Sequence, residues 1–230
     1  MLEERRLIEP VAHIQTDLPA KFGLPRQSGL VEALQARIVF EPKYRDPVAF
    51  RGIEGFSHLW LIWGFSENSR DTWAATVKPP RLGGNRRMGV FATRSPYRPN
   101  ALGLSAVTLI KYELDEKLGP VLYVAGADLM DGTPIYDVKP YLPFTDSRRS
   151  AVGGFAEDVL DYRLEVELPP ALLERIPPDK REALFGLLEQ DPRPAYIDDP
   201  TRRYGFNYLT QDVRFTVSDG KLTVVDIVDL

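Results

Sequence analysis

The sequence predicts a mainly β protein that ends in a small α+β unit. Two observations predict the β part: short apolar runs are interrupted by Gly and Pro throughout the first half, and the chain contains 20 Pro residues, which disfavour long helices. A hydrophobic fraction of 43% is enough to build a sizeable core. No run approaches the roughly 20 apolar residues of a membrane span, and the charged start does not resemble a signal peptide, so we expect a cytoplasmic protein.

Six runs in the first half are typical of strands. Residues 56–65 are almost continuously apolar, as expected of a strand that is buried on both faces. Polar segments rich in turn-forming residues separate the runs, and such loops often contain functional side chains. The predicted strands are residues 11–16, 36–40, 56–65, 88–93, 102–111 and 121–127.

The second half predicts a separate unit. Residues 147–158 contain Gly153-Gly154 and have no periodicity, which favours a linker or mobile loop between a domain at 1–150 and a small α+β domain at 159–230. A strand is expected near 163–168. A helix should begin at Pro178 and end near Gln190, and residues 207–217 and 222–228 should pair across an Asp-Gly turn. The apolar stripe of that helix consists of Ala183, Leu184, Leu187 and Leu188.

The composition excludes several kinds of chemistry. The chain has no Cys, which rules out disulfides, zinc-thiolate sites and cysteine nucleophiles. The two His residues, His13 and His58, lack metal-binding spacing, so we expect no metal.

Charge is distributed unevenly along the chain. The formal net charge is −4, yet residues 72–112 contain seven Lys and Arg residues and no Asp or Glu. This segregation is compatible with a basic face that binds phosphates and equally with a solvated basic loop.

Two segments have the side chains that a polar ligand requires. In residues 88–105 (MGVFATRSPYRPNALGLS), Arg98 lies between Tyr97 and Pro99, where the stiff backbone can aim a guanidinium at a carboxylate or phosphate. The alternative is that Arg94 and Arg98 only pair with surface acids. Residues 128–141 (DLMDGTPIYDVKPY) combine three carboxylates with two Tyr residues, although Asp-Gly is also an ordinary turn. The sequence leaves open whether the two segments meet.

At these segments the chain resembles the TrmO/TsaA-like methyltransferase family. FATRSPYRPNALGLS and DGTPIYDVKPYLPF are similar to the family's two signature stretches, and GLPRQSGLV, GIEGFSHLWLI, PPRLGGN and DPRPAY follow the same order. The chain departs from the family at Ala101 and Leu102, where Pro and Ile are usual, and in the opening strand. The resemblance implies a β-barrel that binds S-adenosylmethionine, usually as a homodimer, and methylates threonylcarbamoyladenosine at tRNA position 37. A Rossmann-type cofactor site is not expected, because no glycine-rich strand-to-helix turn with an acidic ribose clamp is present.

The resemblance also implies site residues, which we carry over to this numbering. The cofactor is expected at Arg26, Gln27, Ser66, Glu67, Arg98, Leu104, Leu129, Asp131, Gly132 and Thr133. Asp137 is a hypothetical base, with Tyr136 or Tyr141 orienting the purine. The predicted tRNA phosphate contacts are Arg86, Arg87, Arg94, Arg148 and Arg149.

Three other functions stay open at this point. The barrel could methylate a different acceptor, since fold and cofactor do not determine the substrate. It could also sense S-adenosylmethionine without turnover, as a regulator that acts through a partner. A plain structural module is the third alternative, and the concentration of polar groups in the loops disfavours it.

Overall fold

A computed structural model describes residues 7–66, 72–79, 86–159, 162–193 and 199–230. Strands dominate this structure, which confirms the mainly β prediction. The first part of the chain forms β1 (Ala12–Gln15), β2 (Gln35–Phe40), β3 (His58–Gly64), β4 (Thr76–Val77), β5 (Met88–Gly89), β6 (Leu102–Asp115), β7 (Gly119–Ala125), β8 (Pro134–Pro140) and the helix α1 (Pro143–Asp146). The second part forms β9 (Glu165–Glu167), α2 (Pro170–Leu173), α3 (Arg181–Glu189), β10 (Tyr204–Tyr208), β11 (Gln211–Ser218) and β12 (Lys221–Asp229).

Six strands close into a barrel in the order β1-β2-β7-β6-β3-β8. Every neighbouring pair is antiparallel. Closure gives each strand two partners, so the barrel has no exposed edge. Inward-facing apolar side chains from all six strands fill the interior, as Ile14, Ile38 and Leu122 illustrate with exposed fractions of zero.

The antiparallel order separates the barrel's loops into two groups. Because β1, β3 and β7 run in one direction and β2, β6 and β8 in the other, the connections 16–34, 65–101 and 126–133 all leave from one end, which we call the upper end. Residues 41–57, the hairpin after β6 and the chain after β8 lie at the lower end.

The burial of strand β3 differs from the prediction. Its side chains alternate, with Leu59, Leu61 and Trp63 buried inside the barrel and Trp60 and Ile62 half-buried on the outer wall. The prediction of burial on both faces was therefore wrong. A closed barrel has an inner and an outer face on every strand, and here other aromatic side chains partly cover the outer one, since the rings of Trp60 and Tyr141 lie 5.3 Å apart.

Strand β8 lies within the segment that the sequence analysis described only as polar and turn-rich. It pairs with both β1 and β3 and closes the barrel. A register shift inserts Tyr136 as an extra residue, because Ile62 faces Asp137 whereas Trp63 faces Ile135. Bulges of this kind re-aim side chains and are frequent beside functional sites.

The C-terminal residues form a four-stranded sheet in the order β10-β11-β12-β9, with β9 parallel to β12. Helix α3 agrees with the predicted helix and buries its apolar stripe. The predicted run 207–217 is instead two strands, since the chain turns at Leu209, which has a φ of 56°. The turn between β11 and β12 contains Asp219 and Gly220 with φ values of 51° and 77°, as an Asp-Gly hairpin requires.

The connection 16–34 contributes to both halves of the molecule. It starts and ends on the barrel, yet Leu18, Val31 and Leu34 are at most 4% exposed because they pack into the apolar core of the C-terminal sheet and α3. The boundaries at 150 and 159 stay predictions. Among the described residues, no helix is long and apolar enough to cross a membrane.

Candidate functional site

The barrel topology gathers most of the predicted ligand-binding residues at its upper end. Three connections from separate parts of the sequence leave the barrel there, and β6 begins there. Glu67 lies outside the described residues. The predicted residues at this end are Arg26, Gln27, Ser66, Arg94, Arg98, Leu104, Leu129, Asp131, Gly132 and Thr133.

The basic and acidic segments meet at this end. Arg94 Nη1 donates a hydrogen bond to Gln27 Oε1 at 2.5 Å, although the two residues are 67 positions apart in sequence. The Arg94 charge also acts on the carboxylate of Asp128, which accepts a backbone hydrogen bond from Ser28. One cation, one amide and one carboxylate from three loops thus converge, which answers the question that the sequence left open.

Asp128 belongs to a buried hydrogen-bond network. Trp63 Nε1 donates to Ser105 Oγ at 2.9 Å, and Ser105 Oγ donates to Asp128 Oδ1 at 2.6 Å. Burial raises the pKa of the Asp128 carboxyl above its ordinary value, although the hydrogen bond from Ser105 and the Arg94 charge oppose the shift. Sequence reasoning named neither Ser105 nor Asp128 as a site residue. The available signal was that Ser105 ends one signature stretch and Asp128 lies three positions before the other.

The loop between β7 and β8 is held in one conformation. Leu129 is 1% exposed in the barrel core, and the hydroxyl of Thr133, itself 3% exposed, donates to a carbonyl of the same loop at 2.7 Å. Gly132 has a φ of 74°, which favours glycine. Asp131 is exposed, and its Oδ1 accepts the backbone N–H of Thr16 at 2.9 Å. Burial and hydrogen bonds therefore hold the loop, and Asp131 presents its carboxylate to solvent.

The two arginines of the first signature stretch behave differently. Arg98 is half-buried, and its Nη1 donates to the carbonyl of Thr93 at 3.1 Å, so the guanidinium stabilises its own turn. Arg94 is exposed and reaches another loop through Gln27. The stiff turn aligns both side chains, but the cross-loop contact is made by Arg94.

A second group of predicted residues lies on the outer wall of the barrel. Leu104 is 51% exposed and pairs with Ile62, which in turn pairs with Asp137 on β8. Asp137 Oδ2 is 2.8 Å from Lys139 Nζ, and its side chain is 45% exposed. Tyr136 packs over Gly64, where a Cβ would lie 2.7 Å from the ring. These side chains are separated by the barrel wall from the buried network of Trp63.

The predicted phosphate contacts divide between the two ends. Arg86, Arg87 and Arg94 are exposed in the connection 65–101 at the upper end, and Arg87 Nη1 donates to Thr76 Oγ1 at 3.0 Å. Arg148 and Arg149 are exposed after α1, beyond the lower end of β8. Three of the five thus lie in one connection at the upper end.

Two exposed aromatic rings accompany the basic residues at the upper end. Trp73 is 54% exposed and Phe91 is 72% exposed, and their ring centroids lie 6.4 Å apart with an interplanar angle of 29°. Sequence reasoning missed both, although aromatic residues inside an acid-free basic segment are a recognisable signal for nucleic-acid binding. Within the described residues, no group of three or more His, Asp or Glu side chains is arranged to hold a metal.

Comparison with known proteins gives consistent matches over most of the chain. The model of the tRNA-methyltransferase O N-terminal domain matches residues 13–147, and that of the TrmO C-terminal domain matches residues 163–230. The tRNA (adenine(37)-N6)-methyltransferase of Escherichia coli K12 is 38% identical over 94% of this chain and 95% of its own length. The protein of the same name from Eikenella corrodens is 47% identical over 72% of this chain and 93% of its own.

A solved structure extends the likeness to three dimensions. The crystal structure of TrmO from Pseudomonas aeruginosa superposes with a TM-score of 0.79 at 30% identity, over 98% of both chains. The first family model covers the barrel strands and loops from His13 onward, and the second covers the C-terminal unit. The chain belongs to the tRNA-methyltransferase O family.

Proposed function

We propose that the protein transfers a methyl group from S-adenosylmethionine to N6 of threonylcarbamoyladenosine at position 37 of tRNA. The observation that supports it most is the convergence of Gln27, Arg94 and Asp128 at the upper end of the barrel. S-adenosylmethionine is a zwitterion with an adenine, a ribose and an amino acid group. A site that places a guanidinium beside a carboxylate and an amide offers complementary partners for these groups.

The residues present fit this cofactor. The guanidiniums of Arg94 and Arg98 suit the methionine carboxylate, Gln27 suits the adenine edge, and Asp128 or Asp131 suits the ammonium or the ribose hydroxyls. The cofactor supplies an electrophilic methyl group on a sulfonium sulfur. The remaining predicted contacts would supply backbone groups, a matching shape and exclusion of water. They are Arg26, Ser66, Leu104, Leu129, Gly132 and Thr133. Glu67, outside the described residues, stays a predicted contact.

The protein's chemical task is to orient the acceptor and to accept a proton. The threonylcarbamoyl group withdraws electrons from N6 and makes its N–H more acidic, so a nearby carboxylate can take the proton as the methyl group is transferred. Asp137 fits this role because it is half exposed on the outer wall beside the bulge at Tyr136, whose ring can orient the purine.

The base is tested by replacing Asp137 with Asn. Single-turnover methylation at saturating cofactor should fall by roughly 10²- to 10⁴-fold, the usual contribution of general base catalysis. Glu113→Gln is the matched control, because Glu113 forms a comparable exposed pair with Lys111 two residues away. Unchanged single-turnover methylation in Asp137→Asn would rule out the assignment.

The proposed tRNA surface combines charge with stacking. Arg86, Arg87 and Arg94 face solvent at the same end as the cofactor residues, and the rings of Trp73 and Phe91 lie in the same connection. Phosphates of the anticodon loop would meet Arg86 and Arg87, while unpaired bases stack on the rings. Arg94, which the sequence analysis assigned to the phosphates, is taken here as a cofactor contact. Arg148 and Arg149 provide a further basic pair beyond β8.

A homodimer is part of the same proposal. Leu102 and Leu104 are 38% and 51% exposed on the outer wall of β6, beside Ile62. A second copy that covers this wall would bury apolar surface next to Asp137 and enclose the methyl-transfer site. We expect the dimer to act in the cytoplasm without a metal. Sedimentation velocity at micromolar concentration distinguishes dimer from monomer.

The activity is tested with purified protein, S-adenosylmethionine and tRNA that either bears or lacks the threonylcarbamoyl group, followed by mass spectrometry of the nucleosides. Methylation only of the modified tRNA supports the proposal. Methylation of another nucleoside would indicate a different acceptor. Cofactor binding without any methylation would favour a regulator that senses S-adenosylmethionine.

A further inference from the structure

We propose that the C-terminal unit positions the cofactor loop, and that Asp191, Arg193 and Tyr162 are its positioning residues. The inference rests on the proposed function, since it takes Arg26 and Gln27 as cofactor contacts. It gives the C-terminal unit a role in methyl-donor binding, in addition to any contact it makes with RNA.

The connection 16–34, which contains Arg26 and Gln27, has no regular secondary structure. A loop of this length keeps one conformation only if its surroundings hold it. The barrel holds it near its ends and at Gly29, whose N–H donates to Gly126 at 2.8 Å. Barrel loops also contact Gln27 and Ser28, through Arg94 and Asp128. Further contacts along the connection are made with the C-terminal unit.

Apolar packing forms the first set of these contacts. Leu18 and Val31 are 1% and 4% exposed within the C-terminal core. Gly23, with a φ of 90°, lies so close to Phe206 that a Cβ would be 2.2 Å from the ring. Val31 fits against Gly186 of α3, where a Cβ would lie 2.7 Å from the Val31 side chain. The loop is therefore built into the core of the C-terminal unit.

A polar clamp fixes the start of the loop. Asp17 accepts a hydrogen bond from Lys180 Nζ at 2.6 Å, and its carbonyl accepts the N–H of Leu209 at 2.8 Å. The Asp17 and Lys180 side chains are only 20% and 27% exposed, so water screens this pair less than an ordinary surface ion pair.

A second clamp lies at Arg26. Its Nη2 donates to the backbone carbonyl of Asp191 at 3.4 Å. Asp191 has a φ of 54°, a conformation that is unfavourable for most residues, so its carbonyl direction depends on support from neighbours. Arg193 gives that support through Nε and Nη2, at 2.8 and 2.9 Å from the two carboxylate oxygens, and the Tyr162 hydroxyl adds a bond of 2.8 Å.

The clamp at Asp191 is largely removed from solvent. The side chains of Asp191 and Arg193 are 11% and 13% exposed. Burial opposes ionisation of Asp191, but the hydrogen bonds from Arg193 and Tyr162 outweigh it and hold the pKa of this carboxyl below its ordinary value. A charged, bidentate pair therefore holds the backbone that Arg26 contacts, and the next residue, Gln27, reaches Arg94 at the cofactor site.

The test uses the full chain with Arg193→Ala, Asp191→Asn and Arg193→Lys. Asn tolerates the left-handed backbone, so Asp191→Asn weakens the ion pair without straining the turn. Arg214→Ala is the control, because Arg214 also forms a pair, at 2.8 Å, with the Asp two residues before it, on β11 and away from the loop, although that pair is more exposed. Thermal unfolding of each variant identifies those that remain folded.

Isothermal titration with S-adenosylmethionine and steady-state kinetics with modified tRNA supply the readouts. We expect Arg193→Ala to raise the Kd and the KM for S-adenosylmethionine roughly ten-fold. The kcat at saturating cofactor should change by less than about two-fold, as expected for a loss of ground-state binding. Arg193→Lys should restore part of the affinity, and Arg214→Ala should leave it unchanged.

The outcomes separate the two proposals. A wild-type protein that does not bind S-adenosylmethionine contradicts the proposed function itself. A wild-type protein that binds and methylates, with folded Arg193→Ala and Asp191→Asn variants of unchanged Kd, overturns the positioning role alone. An equal loss in Arg214→Ala would also overturn it, because the effect would then be one of general stability.

Discussion

Replacing Ser105 with Ala removes the centre of the buried network at the upper end of the barrel. Ser105 is 1% exposed, and its hydroxyl accepts from Trp63 and donates to Asp128. The variant leaves a buried indole N–H without its acceptor and removes one of the donors to the Asp128 carboxylate. An unsatisfied buried group costs about 1–3 kcal/mol, and a hydrogen bond to a charged group contributes about 1.5–3 kcal/mol. We therefore expect a loss of about 3 kcal/mol in the free energy of unfolding at pH 7.5.

The loss should depend on pH in a defined direction. Burial raises the folded-state pKa of Asp128, so its protonated form contributes stability that is fully present below the ordinary carboxyl pKa and is lost as pH rises through the folded pKa. The Ser105 hydrogen bond opposes that shift, and its removal raises the folded pKa further. The difference between wild type and Ser105→Ala should therefore grow with rising pH.

Urea unfolding at pH 4.5, 6.0 and 7.5 measures both quantities. Ser57→Ala is the control, since Ser57 is exposed and its hydroxyl lies 2.9 Å from Nδ1 of the neighbouring His58 ring. It should change the free energy of unfolding by no more than about 0.5 kcal/mol. If Ser105→Ala loses the same free energy of unfolding at all three pH values, the charge argument is refuted. The loss would then come only from the hydrogen bond that Trp63 donates to Ser105.

Three further substitutions test the core, the packing and the RNA surface. Gly103→Ala would place a Cβ 2.1 Å from the Trp63 ring and should lower the free energy of unfolding by at least about 1–3 kcal/mol. Gly89→Ala is the control, because its Cβ would meet no atom within 4 Å and the free energy of unfolding should not fall. Urea unfolding compares the two variants. Phe50→Ala removes a ring that is 7% exposed and contacts two other rings, so about 3–5 kcal/mol should be lost in the same assay. Arg87→Ala should weaken tRNA binding and reduce the slope of log affinity against log salt concentration by about 0.7–0.9. Filter binding at several salt concentrations measures this slope. An unchanged slope would exclude a phosphate contact at Arg87.

Local signals accounted for much of the fold. The alternation of apolar residues and the Gly and Pro breaks placed β1, β2, β3, β6 and β7 within a few residues, and the apolar stripe of α3 placed that helix. Strand β8 gave no such signal, because Pro134 and Pro140 are typical of turns. They are tolerated because they lie at the two ends of the strand.

The site was only partly predictable from the sequence, because its residues are far apart along the chain. The motif GLPRQSGLV identified Gln27, and the signature stretches identified Arg94 and the loop from Leu129 to Thr133. The 67 positions between Gln27 and Arg94 left no local trace of their contact, which arises from barrel closure. The hydrogen bond from Ser105 to Asp128 likewise depends on an inward-facing register that a one-residue shift would reverse.

Residues of the connection 16–34 are buried among strands near the end of the chain. This arrangement also determines the order of folding during synthesis. Leu18, Val31 and Leu34 leave the ribosome early, whereas β10, β11 and β12, which cover them, follow on the order of 10 s later at ordinary rates of synthesis. The barrel strands are complete before that time. A translation product that stops before β10 therefore leaves these apolar side chains without the sheet that covers them, beside a finished barrel. Chaperones and proteases can distinguish it from the complete chain by this surface.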